Sequence, residues 1–193
     1  MARPRTISDD EIVAATVAAI EQHGPGLTLA EVAAQAGVSA AALVQRFGSK
    51  HALLVAVGRR AQAGIDASMA AAVAQPGSPT GALLDLLAGY VAGISSPEVL
   101  ANHVAFLQLD LVDEELREQA KLQARAVERG IRRLLDAAVE AGELGTGVDT
   151  RRIAEALHTA YNGALVTWAL AGRGRLGAWV KRQVSFALEP YLA

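Results

Sequence analysis

The sequence predicts an all-α protein of about nine or ten helices, built as a short N-terminal bundle followed by a larger helical bundle. Apolar residues recur three and four positions apart through most of the chain, which is the spacing of one helix face. Ser/Thr-x-x-Glu patterns precede the first apolar segments and are typical of helix starts. No segment alternates apolar and polar residues long enough to indicate a strand.

The first predicted helices are short and begin at capping residues. Ser8 and Thr28 each stand three residues before a glutamate, so each can accept from a first-turn amide while the carboxylate reaches back. Ser39 is a further N-cap, and glycines follow the predicted helix ends. The predicted helices span residues 8–23, 28–36, 39–47 and 50–74.

Longer helices are predicted in the remainder of the chain. The Pro- and Gly-containing stretch 75–80 is the clearest loop, and Pro97 fits a first helical turn, where its missing N–H costs least. The predicted helices span residues 81–94, a segment from Pro97, and residues 113–142, 149–170 and 178–188. We expect two domains, a head of residues 1–50 and a body of residues 51–193.

Composition narrows the functional class. The chain of 193 residues is 52% hydrophobic with a net charge of −2, as expected of a globular protein. It has no cysteine, no secretory leader pattern and no apolar run of the roughly 20 residues that cross a bilayer, so we expect a cytoplasmic protein without membrane association.

Enzyme motifs are missing from the sequence. None of the four histidines has a second histidine four residues away, as a helical metal site requires. There is also no phosphate-binding glycine loop and no Gly-x-Ser-x-Gly elbow. We therefore expect no catalytic residue, no metal site and no cofactor.

The segment Thr28–Phe47 has the pattern of a helix-turn-helix. Two short predicted helices are joined by Gly37-Val38-Ser39, where Gly37 allows a turn with positive φ and Ala33 is small enough for the helices to cross closely. An ordinary αα-hairpin, which also needs a glycine turn, is the alternative.

These residues resemble the TetR family of bacterial transcriptional regulators. The resemblance is carried by TLAEVAAQAGVS at 28–39, by Leu43, and most specifically by FGSKHALL at 47–54. It implies a DNA-binding head and a ligand-binding, dimerising body, hence a homodimer that binds a double-stranded DNA operator. Family habit favours a repressor that a small-molecule effector releases from the operator.

Candidate DNA contacts follow from the residue types in the head. Hydroxyls at helix starts suit phosphate oxygens, the side chain of Gln45 can pair with adenine, and alanine methyls can contact thymine. The resemblance adds a phosphate-contacting lysine at Lys50, and flexible N-terminal arginines suit the minor groove. The candidates are Thr28, Ser39, Ala40, Ala41, Gln45, Arg46, Lys50, Arg3 and Arg5.

The head departs from the family pattern at two positions. Val44 stands where the family usually has an aromatic residue, and Arg46 stands where it usually has an aromatic residue or histidine. We therefore expect phosphate attraction and DNA shape to contribute more than direct base contacts. The alternative is a helical interaction or dimerisation protein whose head has lost specific DNA binding.

Two further sets of residues are predicted in the body. Apolar stripes on the last two helices match the dimer interface that the resemblance implies, although ordinary core packing explains each residue nearly as well. Polar groups among apolar neighbours suit an effector pocket, against the alternative of a histidine on a half-exposed helix. The interface residues are Ile153, Leu157, Leu165, Trp168, Val180, Val184 and Leu188, and the pocket residues are Tyr90, His103, Leu107, Asp110, His158 and Tyr161.

Overall fold

The computed structural model describes residues 7–171 and 174–193, apart from the side chains of residues 103 and 106. This part of the chain contains nine α-helices and no named strand, so the predicted all-α class is confirmed. The helices are α1 (Asp9–His23), α2 (Leu29–Ala36), α3 (Ala40–Phe47), α4 (Lys50–Ala74), α5 (Pro79–Gly89), α6 (Pro97–Val112), α7 (Glu114–Glu140), α8 (Thr150–Ala171) and α9 (Leu176–Leu188).

The helix starts are fixed by contacts between residues close in sequence, which is why the sequence predicted them well. Ser8 and Thr28 both form complete capping boxes, with their hydroxyls accepting from Glu11 and Glu31 N–H groups. α5 begins at Pro79, two residues before the predicted start, because Ser78 accepts from the Gly81 N–H and places the proline in the first turn. Capping therefore decides these boundaries.

The chain divides into two compact units. The head unit comprises residues 1–61 and 101–121, and the body unit comprises residues 62–100 and 122–193. The functional division predicted at residue 50 stays a prediction, because compactness alone does not show which segment performs which function. Each unit has its own apolar core.

The core of the head unit joins the first helices to α4. Ile12, Leu27, Leu43 and Leu53 are fully buried there. The one buried polar side chain among the described residues, Thr16, donates its hydroxyl to the Ile12 carbonyl at 2.8 Å. This core fixes the positions of α2 and α3, which carry the predicted contact residues.

The core of the body unit is formed by parts of α4, α5 and α7 together with α8 and α9. Met69, Leu83, Leu87 and Leu135 are fully buried. Gly130 on α7 lies against Met69 so closely that an added Cβ would be 2.8 Å from the Met69 Cβ. The absence of a side chain at Gly130 therefore lets α7 approach α4.

The residues predicted for a dimer interface are packed within the chain itself. Six of the seven belong to the core of the body unit and are at most 4% exposed: Ile153, Leu157, Trp168, Val180, Val184 and Leu188. Leu165, the seventh, is partly buried against the same core. The apolar periodicity therefore marks the faces on which α8 and α9 pack within the chain.

Candidate nucleic-acid interface

The turn between α2 and α3 depends on Gly37. Its φ of 68° is in the left-handed region, which favours glycine. The Gly37 and Val38 N–H groups donate to carbonyls of the last turn of α2, with Val38 bonded to Ala33 at 3.0 Å. Leu43, which is 1% exposed, anchors α3 to the head core. These contacts set the predicted helix-turn-helix geometry.

The start of α3 is open to an anion. The Ser39 Oγ accepts from the Ala42 N–H at 3.1 Å, and the hydroxyl proton has no acceptor among the described residues. Ala42 stands where a capping box would have a glutamate, so no carboxylate closes this helix start. The exposed amides of Ala40 and Ala41 add to the positive end of the helix dipole. This helix start can bind a phosphate oxygen.

The start of α2 is different because Glu31 already occupies it. The Thr28 hydroxyl donates to Glu31 Oε2 at 2.8 Å, and the Thr28 N–H donates to the same oxygen at 2.7 Å. These bonds, the backbone one first, lower the pKa of Glu31 and keep it ionised. A phosphate at Thr28 would have to displace this carboxylate, so Thr28 is a weaker candidate than Ser39.

The exposed face of α3 carries small and apolar groups with one amide. Ala40, Ala41 and Gln45 are exposed, and Val44 is 47% exposed. Because Val44 is not packed into the core, its methyl groups are available on this surface. The face can offer methyl contacts to thymine and a paired amide contact to adenine.

The Arg46 guanidinium is engaged by residues at the start of α1. Its guanidinium donates to the Ile7 carbonyl at 2.8 Å and forms an ion pair with Asp9, beside the first turn of α1. The Lys50 ammonium makes a long contact, 3.4 Å, to the Pro25 carbonyl and attracts the Glu31 carboxylate through space. Lys50 is therefore the more available cation.

Two candidate contacts lie outside the described residues. Arg3 and Arg5 belong to the segment 1–6, so their assignment to the minor groove stays a prediction.

Sequence reasoning missed a polar contact within the head unit. His51 Nε2 lies 3.1 Å from Asp113 Oδ1, and Asp113 also caps α7 by accepting from the Leu116 N–H at 2.9 Å. The hydrogen bond from the Leu116 N–H, and next the hydrogen bond from His51, lower the pKa of Asp113. The sequence marked Asp113 as a helix start, but it held no signal that a residue so distant along the chain would contact it.

Two of the predicted effector residues lie together in the body unit. The Tyr90 hydroxyl is 2.7 Å from Ser68 Oγ, while the Tyr161 hydroxyl has no partner among the described residues. Burial, and next the neighbouring Tyr90, raise the pKa of Tyr161. His158 Nδ1 lies 3.1 Å from Glu128 Oε1. Tyr90 and Tyr161, with Ser68, form a partly buried polar cluster beside the apolar core of the body unit.

The remaining predicted pocket residues, His103, Leu107 and Asp110, are on α6. Leu107 is exposed and Asp110 is half-buried, and both belong to the head unit. Burial raises the pKa of Asp110. The side chain of His103 lies outside the described part of the structure.

The described residues include no group of three or more His, Asp or Glu side chains placed to hold a metal ion. No described helix is both long enough and apolar enough to cross a membrane.

Residues 12–57 match the family model described as bacterial regulatory proteins, tetR family. No curated protein matches the chain. Among solved structures, a TetR transcription regulator from Haloarcula marismortui is similar with a TM-score of 0.79 and 20% identity, covering 96% of this chain and 98% of the other.

Two further solved structures have the same fold. The reduced form of NemR from E. coli has a TM-score of 0.77 and 17% identity, covering 96% of this chain and 97% of its own. FadR from Bacillus subtilis, in complex with stearoyl-CoA, has a TM-score of 0.71 and 18% identity, and the match covers 93% of this chain and 97% of the FadR chain. At these identities the similarity establishes the fold, and the family match covers the head.

Proposed function

We propose that this chain, whose head belongs to the tetR family of bacterial regulatory proteins, is a transcriptional repressor that a small-molecule effector releases from its DNA operator. The observation that carries the proposal is the start of α3. There Ser39 has an unused hydroxyl proton, and the helix face that follows is exposed and small, as close approach to DNA requires.

The proposed DNA contacts are of two kinds: contacts to phosphates, which position the protein, and contacts to bases, which read the sequence. Ser39, the first amides of α3 and Lys50 hold phosphate oxygens and set the depth of the helix in the major groove. Gln45 reads a base by its amide, and Val44 and Ala41 contact thymine methyl groups. Because so few groups reach bases, phosphate contacts and DNA shape supply most of the affinity, which falls steeply as salt rises.

Gel retardation on the DNA upstream of the protein's own gene tests the proposal. Ala41→Glu places a negative charge at the α3 start, where it repels phosphate, so this variant should abolish the shift. Ala63→Glu is the matched control, because Ala63 is an exposed alanine on α4 in the body unit. A wild-type protein that shifts neither this fragment nor random duplex at low salt contradicts DNA binding and favours the interaction protein that lacks it.

We propose that the effector binds in the body beside Tyr90 and Tyr161. Stearoyl-CoA is the ligand of the B. subtilis FadR complex, which shares this fold. Here the apolar surroundings and the unpartnered Tyr161 hydroxyl favour a largely apolar molecule with one hydrogen-bonding group. In a reporter strain, Tyr161→Phe should leave repression intact and weaken induction by any compound that releases the wild-type protein from DNA. Unchanged induction would remove Tyr161 from the site.

The proposed partner is a second copy, bound through the outward faces of α8 and α9. On α8 a stripe of small and apolar residues is exposed at alternating steps of three and four: Ala156, Thr159, Gly163, Val166 and Leu170. Leu170 is 84% exposed and Phe186 on α9 is 73% exposed, which is unusual for such large side chains unless a partner covers them. To enter successive major grooves, the two α3 helices of such a dimer need to lie about one turn of DNA apart, roughly 34–36 Å.

Light scattering tests this association. The wild type should have the mass of a dimer at micromolar concentration, and Leu170→Glu should have that of a monomer, because burying the new carboxylate is costly. Leu111→Glu is the control, since Leu111 is an exposed leucine on α6. A wild-type monomer, or a dimer that survives Leu170→Glu, contradicts the proposed interface.

The proposed place of action is the cytoplasm, where the DNA lies. A regulator of this kind needs no catalytic residue, and the family to which the head belongs consists of regulatory proteins.

A further inference from the structure

Three arginines share one face of α7 and meet a fourth on α8. Arg125, Arg129 and Arg132 stand four and three residues apart, so their side chains project from the same side of the helix. Together with Arg151 they line a cavity of about 310 Å³ in the body unit, which we call the arginine groove. Like charges at these spacings destabilise a helix. Folding alone therefore does not favour this arrangement.

Two carboxylates stand among the four guanidinium groups of the groove. Glu128 and Glu155 both line it. Glu128 contacts His158 Nδ1 at 3.1 Å, and Glu155 contacts Arg151 Nε at 3.2 Å. Both carboxylates are thus already engaged.

The remaining guanidinium groups have weak partners. Arg129 lies 3.8 Å from Asp66 and Arg132 lies 3.7 Å from Asp136, both longer than a normal hydrogen bond. Asp136 also accepts the Thr150 hydroxyl at 2.5 Å. Arg125 forms no ion pair or hydrogen bond with a described residue. Most of the N–H donors facing the groove are therefore available to a ligand.

We propose that the arginine groove is a binding site for a small ligand bearing a diphosphate group. Guanidinium forks bind phosphate oxygens through paired, charge-assisted hydrogen bonds, and a diphosphate presents the oxygens of two phosphate groups to several of them at once. The volume is at the lower end for small-molecule sites, which suits such a group. The site shares no residue with the Tyr90–Tyr161 cluster, so it goes beyond the proposed repressor function and does not depend on DNA binding.

Calorimetric titration of the full chain with inorganic pyrophosphate at low salt tests the site directly. We expect saturable binding of one pyrophosphate per chain, weakening as salt rises because the groove is open to solvent. Sodium sulfate at matched ionic strength should give no comparable binding. Titration with adenosine diphosphate shows what carries the diphosphate group. If adenosine diphosphate binds more tightly than pyrophosphate, the ligand is a nucleotide, and equal affinities point to recognition of the diphosphate group alone.

The variants are chosen to disturb few existing contacts. Arg125→Gln removes a guanidinium that has no ion pair with a described residue, and Arg132→Gln gives up the 3.7 Å ion pair with Asp136. The double variant should weaken pyrophosphate binding by roughly tenfold or more. Arg152→Gln is the matched control, because Arg152 is exposed on α8 beside Arg151 but does not line the groove. An unchanged affinity in the double variant, or wild-type binding no stronger than that of sulfate, overturns the proposal.

A second measurement on the wild type avoids dependence on the folding of the variants. Pyrophosphate should slow phenylglyoxal modification of Arg125, Arg129 and Arg132, read by mass spectrometry of the peptides, while Arg152 reacts at an unchanged rate. Equal rates at all four arginines with and without pyrophosphate would also overturn the proposal.

Discussion

Arg46 illustrates how a neighbouring helix can withdraw a residue from a DNA-binding surface. The guanidinium is held by the Ile7 carbonyl and by Asp9, so we expect these contacts to compete with a phosphate. We predict that Arg46→Ala changes DNA affinity by less than about twofold in the wild-type background. In an Asp9→Asn background, where the ion pair is lost, the same substitution should weaken binding to every sequence.

The magnitude follows from the exposure of the pair. The side chains of Arg46 and Asp9 are 31% and 69% exposed, so the ion pair contributes at most about 1 kcal/mol. The hydrogen bond to Ile7 adds about 1 kcal/mol more. Release of Arg46 from these two partners therefore costs about 1–2 kcal/mol. We expect Arg46 to stay with α1 when DNA binds.

Salt titration of DNA affinity by fluorescence anisotropy separates the possibilities. One additional phosphate contact steepens the slope of log affinity against log salt by about 0.9. Asp9→Asn should show this steeper slope, and the double variant with Arg46→Ala should return to the wild-type slope.

Asp10→Asn is the matched control for charge, because Asp10 pairs with Arg60 at 3.4 Å instead of with Arg46. A wild-type slope that becomes shallower by about 0.9 on Arg46→Ala alone would refute the reasoning, because Arg46 would then already contact phosphate.

Three other measurements test separate parts of the structure. Gly130→Ala should lower the free energy of unfolding by about 1–2 kcal/mol through overpacking, whereas Gly64→Ala, which has open space around it, should raise it by about 0.5–1 kcal/mol. Denaturant unfolding at equal protein concentration compares the two variants. Equal effects would contradict the close approach of α7 to α4 at Gly130. The pKa of Asp113 is lowered in the folded state, so its contribution to stability is present above the ordinary pKa of 3.8 and is lost as the pH falls through the folded pKa. Asp113→Asn should therefore make the free energy of unfolding depend less on pH on the acid side. An unchanged pH dependence would contradict the stabilising role of Asp113. In competition assays, Lys50→Ala should weaken binding to all DNA sequences alike, whereas Gln45→Ala should alter the preference among sequences. A uniform loss of affinity in both variants would exclude Gln45 as a residue that reads a base.

The helix-turn-helix was predictable because its determinants are local. Capping boxes at Ser8 and Thr28, the N-cap at Ser39 and the positive φ at Gly37 each involve residues within a few positions of one another. Such bonds form wherever the local pattern occurs, so the sequence alone indicated the element and most of its boundaries.

The roles of single side chains were less predictable because they depend on distant partners. Arg46 has the chemistry of a phosphate contact, and only the tertiary structure shows that α1 holds it. The contact between His51 and Asp113 likewise joins segments that the sequence does not relate.

By itself the sequence determined the helical class, the helix starts and the resemblance of the head, because periodicity and capping act over a turn or two. Only the tertiary structure decided which face of α8 and α9 is core and which is surface. Ile153 and Leu157 repeat with the same period as a dimer stripe would, but their burial depends on neighbours from α5 and α7 that the pattern does not name. The convergence of Arg125, Arg129 and Arg132 on Arg151 was equally a result of packing, since α7 and α8 must lie side by side before their charges can share one cavity.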